Sequence, residues 1–205
     1  PAPHHRIAIV ATDDDLANGL VDALGAMGCE AQRVNTPEDI APDAPLAGLV
    51  LVAPMPPIEA FAWAQRCAPH LHLASRKGAA LFCTITRLDG AFGLKGQALS
   101  DPEQGALAGL LKTAALEWPG VRCKALDLDP RWTDVQSAAQ CLAAELIAYD
   151  SKEPMEVGLG PEGRNGLTMV ATACGEPQKL DLNADEVVVI SGGGRGVICG
   201  LSAAV

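Results

Sequence analysis

The chain has 205 residues, 49% hydrophobic and 20% charged, which is enough apolar material for a sizeable core and excludes a disordered segment. Its formal charge of −10 and pI near 4.7 argue against nucleic acid as a partner, because gripping a phosphate backbone takes clustered Lys and Arg. No apolar run approaches the roughly 20 residues that span a bilayer, and residues 1–6 lack the layout of a signal peptide, so no membrane and a cytoplasmic location are expected.

In chain order, Arg6-Ile7-Ala8-Ile9-Val10-Ala11 is a short β-branched run, followed by Thr12, three aspartates and an apolar-periodic stretch over 16–27. That pattern predicts strand, N-cap and helix, with Gly28 ending the helix. Residues 30–34 predict a second short strand, and the Pro-rich 36–45 a surface connection. Residues 48–53 form a continuous apolar run of the kind found in parallel strands covered on both faces.

The alternation continues with a helix over 57–76, a strand over 79–86, a helix over 103–117, a strand over 121–126 and a helix over 132–148. Parallel strands need long crossovers, so the expected class is α/β: a Rossmann-like, mainly parallel sheet flanked by helices. Residues 156–159 and 167–170 are strand-like runs around Gly160-Pro161-Glu162-Gly163, which suits a hairpin. A polar, turn-rich break at 174–185 divides the chain into a structural unit over 1–173, a linker over 174–185 and the start of a second Rossmann unit over 186–205.

Seven cysteines, Cys29, Cys67, Cys83, Cys123, Cys141, Cys174 and Cys199, stand singly in apolar surroundings. There is no Cys-x-x-Cys and no His at ligand spacing, so they read as reduced core residues and no metal is expected. Trp63, Trp118 and Trp132 lie in or beside helical stretches and read as core packing, while Arg87 and Asp89 after the fourth strand are explained as well by solvation as by a partner.

The chemistry concentrates at the end. Val187 to Ile190 leads into Ser191, Gly192, Gly193, Gly194, Arg195, Gly196 and Val197, so glycines sit where a strand turns into a helix. Glycines admit a pyrophosphate close to backbone amides, and the positive end of a following helix favours the anion. No Gly-Lys-Ser/Thr follows, which excludes a P-loop. The first strand-to-helix turn, Ala11-Thr12-Asp13-Asp14-Asp15, puts carboxylates where a pyrophosphate would sit, and these are expected to cap the helix instead.

The terminal loop resembles the Thr-Gly-x-x-x-Gly-x-Gly loop of short-chain dehydrogenases/reductases, with Ser191 for the threonine and Ile198 in place of the third glycine. Arg195 stands where NADPH-preferring relatives place a basic residue, so the resemblance implies NADPH. The family also needs a Tyr and, four residues on, a Lys; the single Tyr149 is followed by Glu153 at that spacing, and Lys112 has Ala108 in the tyrosine position. No catalytic residue is therefore expected within the chain, and Lys112 reads as a solvated or structural remnant.

Residues 105–119 ending in Leu116-Glu117-Trp118-Pro119, the Lys124-Ala125-Leu126-Asp127-Leu128-Asp129 strand and the 156–164 hairpin resemble the structural subdomain of synthase ketoreductases, with the glycine loop opening the catalytic subdomain. The form of that loop is similar to those of polyunsaturated-fatty-acid and iterative polyketide synthases. The resemblance implies NADPH-dependent reduction of a β-ketoacyl group on an acyl carrier protein within a multidomain synthase. It further implies catalytic Ser, Tyr and Lys beyond Val205, and as partners the neighbouring synthase domains and the remaining catalytic half. By itself the chain then reads as a bracing, inactive subdomain. The alternatives are a non-catalytic protein-binding or scaffold module with a degenerate Rossmann fold, and a nucleotide-binding regulator using the terminal glycines.

Overall fold

The periodic segments fold as β1 (Arg6–Val10), α1 (Asp14–Ala26), β2 (Ala31–Arg33), β3 (Leu46–Val52), α2 (Pro57–Ser75), β4 (Leu81–Thr86), α3 (Gly105–Glu117), β5 (Arg122–Leu128), α4 (Val135–Ile147), β6 (Glu156–Gly160) and β7 (Gly163–Gly166). The computed structural model describes residues 6–40, 46–78, 80–148 and 154–173, with 175, 183, 185 and 187. The chain divides into two units, 1–168 and 169–205; the described residues of the second carry no helix or strand.

One seven-stranded sheet runs in the order β2-β1-β3-β4-β5-β6-β7. The strands pair in parallel through β6, and only β7 runs antiparallel, against β6. The Rossmann-like α/β class is thus present. β3 is buried at every residue, as its unbroken apolar run requires of a central strand covered on both faces. On one face Trp63, Leu71, Phe82, Leu107 and Leu111 join α2 and α3 to the sheet. On the other, Ile9, Leu20, Ile85, Leu126 and Leu142 join α1 and α4 to it. The close fit of α1 on α4 is set by Gly19, where a Cβ would stand 3.1 Å from that of Ala139.

Helix ends follow their capping side chains. Asp13 accepts from the Leu16 amide at 3.1 Å and opens α1, and Gly28, at φ 80°, follows its end, where the Cys29 amide returns to the Leu24 carbonyl. α4 begins at Val135 rather than at residue 132 because Asp134 caps the Ser137 amide. α3 is preceded by a 3-10 turn over Pro102–Gln104, opened by Asp101.

The hairpin differs from its sequence pattern. The returning strand is the polar Gly163–Gly166 and not the apolar 167–170, since Gly160 pairs directly with Gly163 across a two-residue connection and so fixes the register. Met169 and Val170 are exposed. Among the cysteines Cys67 and Cys83 are buried, Cys29 and Cys123 are partly covered, and all the described ones are free thiols. Cys141 is exposed on α4, contrary to a core assignment, because it lies on the helix face opposite the buried Ala139, Ala143 and Leu146. Cys174 and Cys199 lie outside the described residues.

Candidate functional site

In an open parallel sheet, a ligand site is built at the carboxyl ends of the strands where the strand order reverses. Here that point lies between β1 and β3, because β2 lies on one side of β1 and β3 on the other. Its rim is tied by its own groups. Thr12 Oγ1 donates to the Pro54 carbonyl at 3.3 Å, Arg33 Nη2 to the Ala11 carbonyl at 3.3 Å, and Arg87 Nη1 pairs with Asp13 Oδ2 at 3.3 Å. The Leu16 amide, which an anion at the start of α1 would seek, is taken by Asp13. The arrangement braces loops and leaves a carboxylate where a pyrophosphate would need a donor.

Beside it, the segment after β4 is organised by three buried aspartates. Asp127, fully buried in β5, accepts from Thr86 Oγ1 at 2.7 Å and from the amides of Leu88, Asp89, Ala91 and Phe92 at 2.8 to 3.2 Å. Asp89 accepts from the amides of Ala91, Gly93 and Lys95. Asp129 pairs with Lys95 Nζ at 3.2 Å and with Arg131 Nη2 at 2.7 Å.

The electrostatics follow from these contacts. Burial pushes the Asp89 carboxyl up, but its three backbone amides and the nearby Lys95 charge outweigh that and hold it below the ordinary range. For Asp129 the Arg131 side chain is the main influence; with the Arg131 amide and Lys95 it overcomes burial and keeps the carboxyl well below the usual range. Arg87 and Asp89 are therefore structural links rather than merely solvated side chains: Arg87 spans to Asp13, and Asp89 is buried. This role was not read from the sequence, although Asp-Leu-Asp at a strand end opposite an Asp-Gly-Ala-Phe-Gly loop carries the signal.

The other expectations fall as follows. Lys112 Nζ pairs with Glu156 Oε1 at 3.0 Å, tying α3 to β6, while Ala108 faces the core. Trp63 is buried, Trp118 packs against His72 and Phe82 with ring centroids 5.7 and 5.3 Å away, and Trp132 packs against the second core. Tyr149, Lys152 and the cofactor-binding candidates Ser191, Gly192, Gly193, Gly194, Arg195, Gly196 and Val197 lie outside the described residues. Among the described residues no group of His, Cys, Asp and Glu could hold a metal, and no helix is long and apolar enough to cross a membrane. A shallow cavity of about 470 Å³ between α1 and α4, lined by Asp22, Met27, Gln136 and Gln140 among others, lies away from this edge and brings no reactive pair together.

No model of a known protein family matches the chain. Over 131 residues, 58% of its length, it is 34% identical to a polyunsaturated fatty acid synthase polypeptide of Thraustochytrium sp.. The chain is similar to a segment of such a synthase. It spans 4% of that relative's length, and the match bears out the likeness to polyunsaturated-fatty-acid synthases drawn from the sequence. Among solved structures, the first ketoreductase of the tylosin PKS is similar with a TM-score of 0.49 and 20% identity, covering 78% of this chain and 37% of that one. A metagenomic short-chain oxidoreductase in complex with NADP reaches 0.49 and 18%, covering 76% and 86%.

Proposed function

We propose that the chain is the structural subdomain, with the opening of the catalytic subdomain, of an NADPH-dependent β-ketoacyl-[acyl carrier protein] reductase in a multidomain polyketide or polyunsaturated-fatty-acid synthase. The observation that carries this reading is the self-filled switch point: Asp13 caps α1 and binds Arg87, so the first Rossmann-like unit has the architecture of a nucleotide fold with its anion position closed by its own carboxylate. Such a unit suits bracing rather than turnover. The 34% identity to a synthase polypeptide supports the same reading.

In this reading residues 1–173 brace, 174–185 link, and 186–205 begin the nucleotide-binding unit. Ser191, Gly192, Gly193, Gly194, Gly196 and Val197 would line the cofactor's pyrophosphate, and Arg195 would meet its 2′-phosphate. NADPH supplies the hydride when bound. The catalytic Ser, Tyr and Lys belong to the remaining catalytic half, and the acyl carrier protein and neighbouring synthase domains are the partners, in the cytoplasm.

The test is NADPH consumption with a β-ketoacyl thioester, measured for this chain alone and for the whole synthase polypeptide. Turnover by the synthase and none by the chain is the expected result. Turnover by the chain alone would sink the bracing role, and a synthase that reduces no β-ketoacyl thioester would sink the reductase assignment.

A further inference from the structure

Residues 88–95 form a strap fastened chiefly by side chains. Within it the backbone pairs with itself from the Leu94 amide to the Ala91 carbonyl, whereas the amides of Leu88, Asp89, Ala91, Phe92, Gly93 and Lys95 go to the carboxylates of Asp127 and Asp89. Phe92 is held at φ 58°, a conformation that persists only where surrounding bonds over-determine it.

The strap also lies hard against the β6–β7 hairpin. A Cβ on Gly158 of β6 would collide with the Gly90 carbonyl, and one on Gly90 would come within 2.9 Å of the Leu159 carbonyl. Asn165 of β7 donates to the Gly90 carbonyl at 3.4 Å. The hairpin is in turn tied to α4 by Arg164, whose guanidinium binds Glu145. Two elements distant in sequence thus share a backbone contact with no room for slippage.

We infer that the strap and the β6–β7 hairpin open and close as one coupled unit at the sheet edge, with Asp127 as its positioning residue. Removing the Asp127 acceptor leaves several amides without a partner, which costs more than losing one bond and releases Phe92 together with Gly90. Release of Gly90 frees the surface on which Gly158 and Asn165 rest. Conversely, a loosened hairpin removes the wall that keeps Gly90 in place. A grip on the outer edge at β7 is thereby felt at the end of β4, three strands inside.

Hydrogen–deuterium exchange on the full chain tests the coupling from both sides. In Asp127→Asn, amides of the strap and of β6–β7 are expected to exchange about tenfold faster or more, with β1 and β3 unchanged, as for a sub-global unit. Arg164→Ala touches Glu145 and leaves the strap's own bonds intact, and it is expected to speed the exchange of Ala91, Phe92 and Gly93 along with the hairpin. Acceleration of the strap without the hairpin in Asp127→Asn, or an unchanged strap in either variant, overturns the inference. Should Asp127→Asn unfold the whole sheet, Arg164→Ala alone decides.

Discussion

Lys124 of β5 reaches the Glu145 carboxylate of α4 at 2.5 Å, with only 4% of the lysine side chain and 11% of the glutamate side chain exposed. Arg164 of β7 completes the group from the same carboxylate's other side, so one glutamate joins a central strand, a covering helix and the sheet edge. A buried ion whose partner is deleted keeps its desolvation penalty. Glu145→Ala is therefore expected to lower unfolding free energy by about 3–5 kcal/mol. Arg164, 40% exposed, is expected to contribute under about 1 kcal/mol. Urea denaturation of the two variants checks the order, and equal losses would contradict it.

Acid should weaken the fold through identifiable groups. Burial pushes the Glu145 carboxyl up, but Arg164 and Lys124 more than offset it, so Glu145, like Asp89 and Asp129, sits below its ordinary range. A depressed carboxylate binds its proton more weakly in the folded state. Its contribution is thus complete above the unfolded value, about 3.9 for Asp and 4.3 for Glu, and is lost as pH falls through the folded value. Urea midpoints should stay level from neutral to about pH 5 and then fall, and Asp89→Asn should make that fall shallower. A midpoint that rises on acidification would reverse the sign of the argument.

The parts of the fold legible in the sequence were those set by local patterning. The apolar run of β3, the Asp13 cap and Gly28 each fix an element without reference to distant residues. The polar β7 was misplaced because its pairing depends on the register of Gly160 with Gly163, whereas its own residues show no alternation. The carboxylate centre was missed for a related reason. Asp127 and Asp89 are 38 positions apart, and only the parallel pairing of β4 with β5 brings the β4 end onto the Asp127 side chain. Arg87 and Asp13, 74 positions apart, meet through the same sheet.

Thiol chemistry should separate the described cysteines by position. Burial raises the Cys67 thiol to about 12, with Arg66 opposing, and lifts Cys83 further inside the sheet. Cys123 is pushed up to about 11 by the same desolvation. Cys141, exposed on α4, has no such cover. Since the thiolate is the reactive form, brief alkylation of the native chain is expected to mark Cys141 before Cys67, Cys83 or Cys123, and urea should erase the difference. Peptide mapping reads the order directly, and early labelling of Cys83 would show that β4 opens more readily than its burial allows.

If Arg195 meets the cofactor's 2′-phosphate, its guanidinium makes a charge-assisted contact that NADH cannot offer. A hydrogen bond to a charged group contributes about 1.5–3 kcal/mol. In the whole synthase, Arg195→Ala is thus expected to raise KM for NADPH by roughly ten- to a hundredfold while leaving that for NADH nearly unchanged. Lys112→Ala provides the contrast. Its ammonium is half exposed and bound to Glu156, so this variant should cost under about 1 kcal/mol of stability and leave both KM values and kcat in place. Equal losses with the two cofactors in Arg195→Ala would place Arg195 outside the 2′-phosphate site, and a collapse of kcat in Lys112→Ala would give α3 a catalytic part that its ion pair does not suggest.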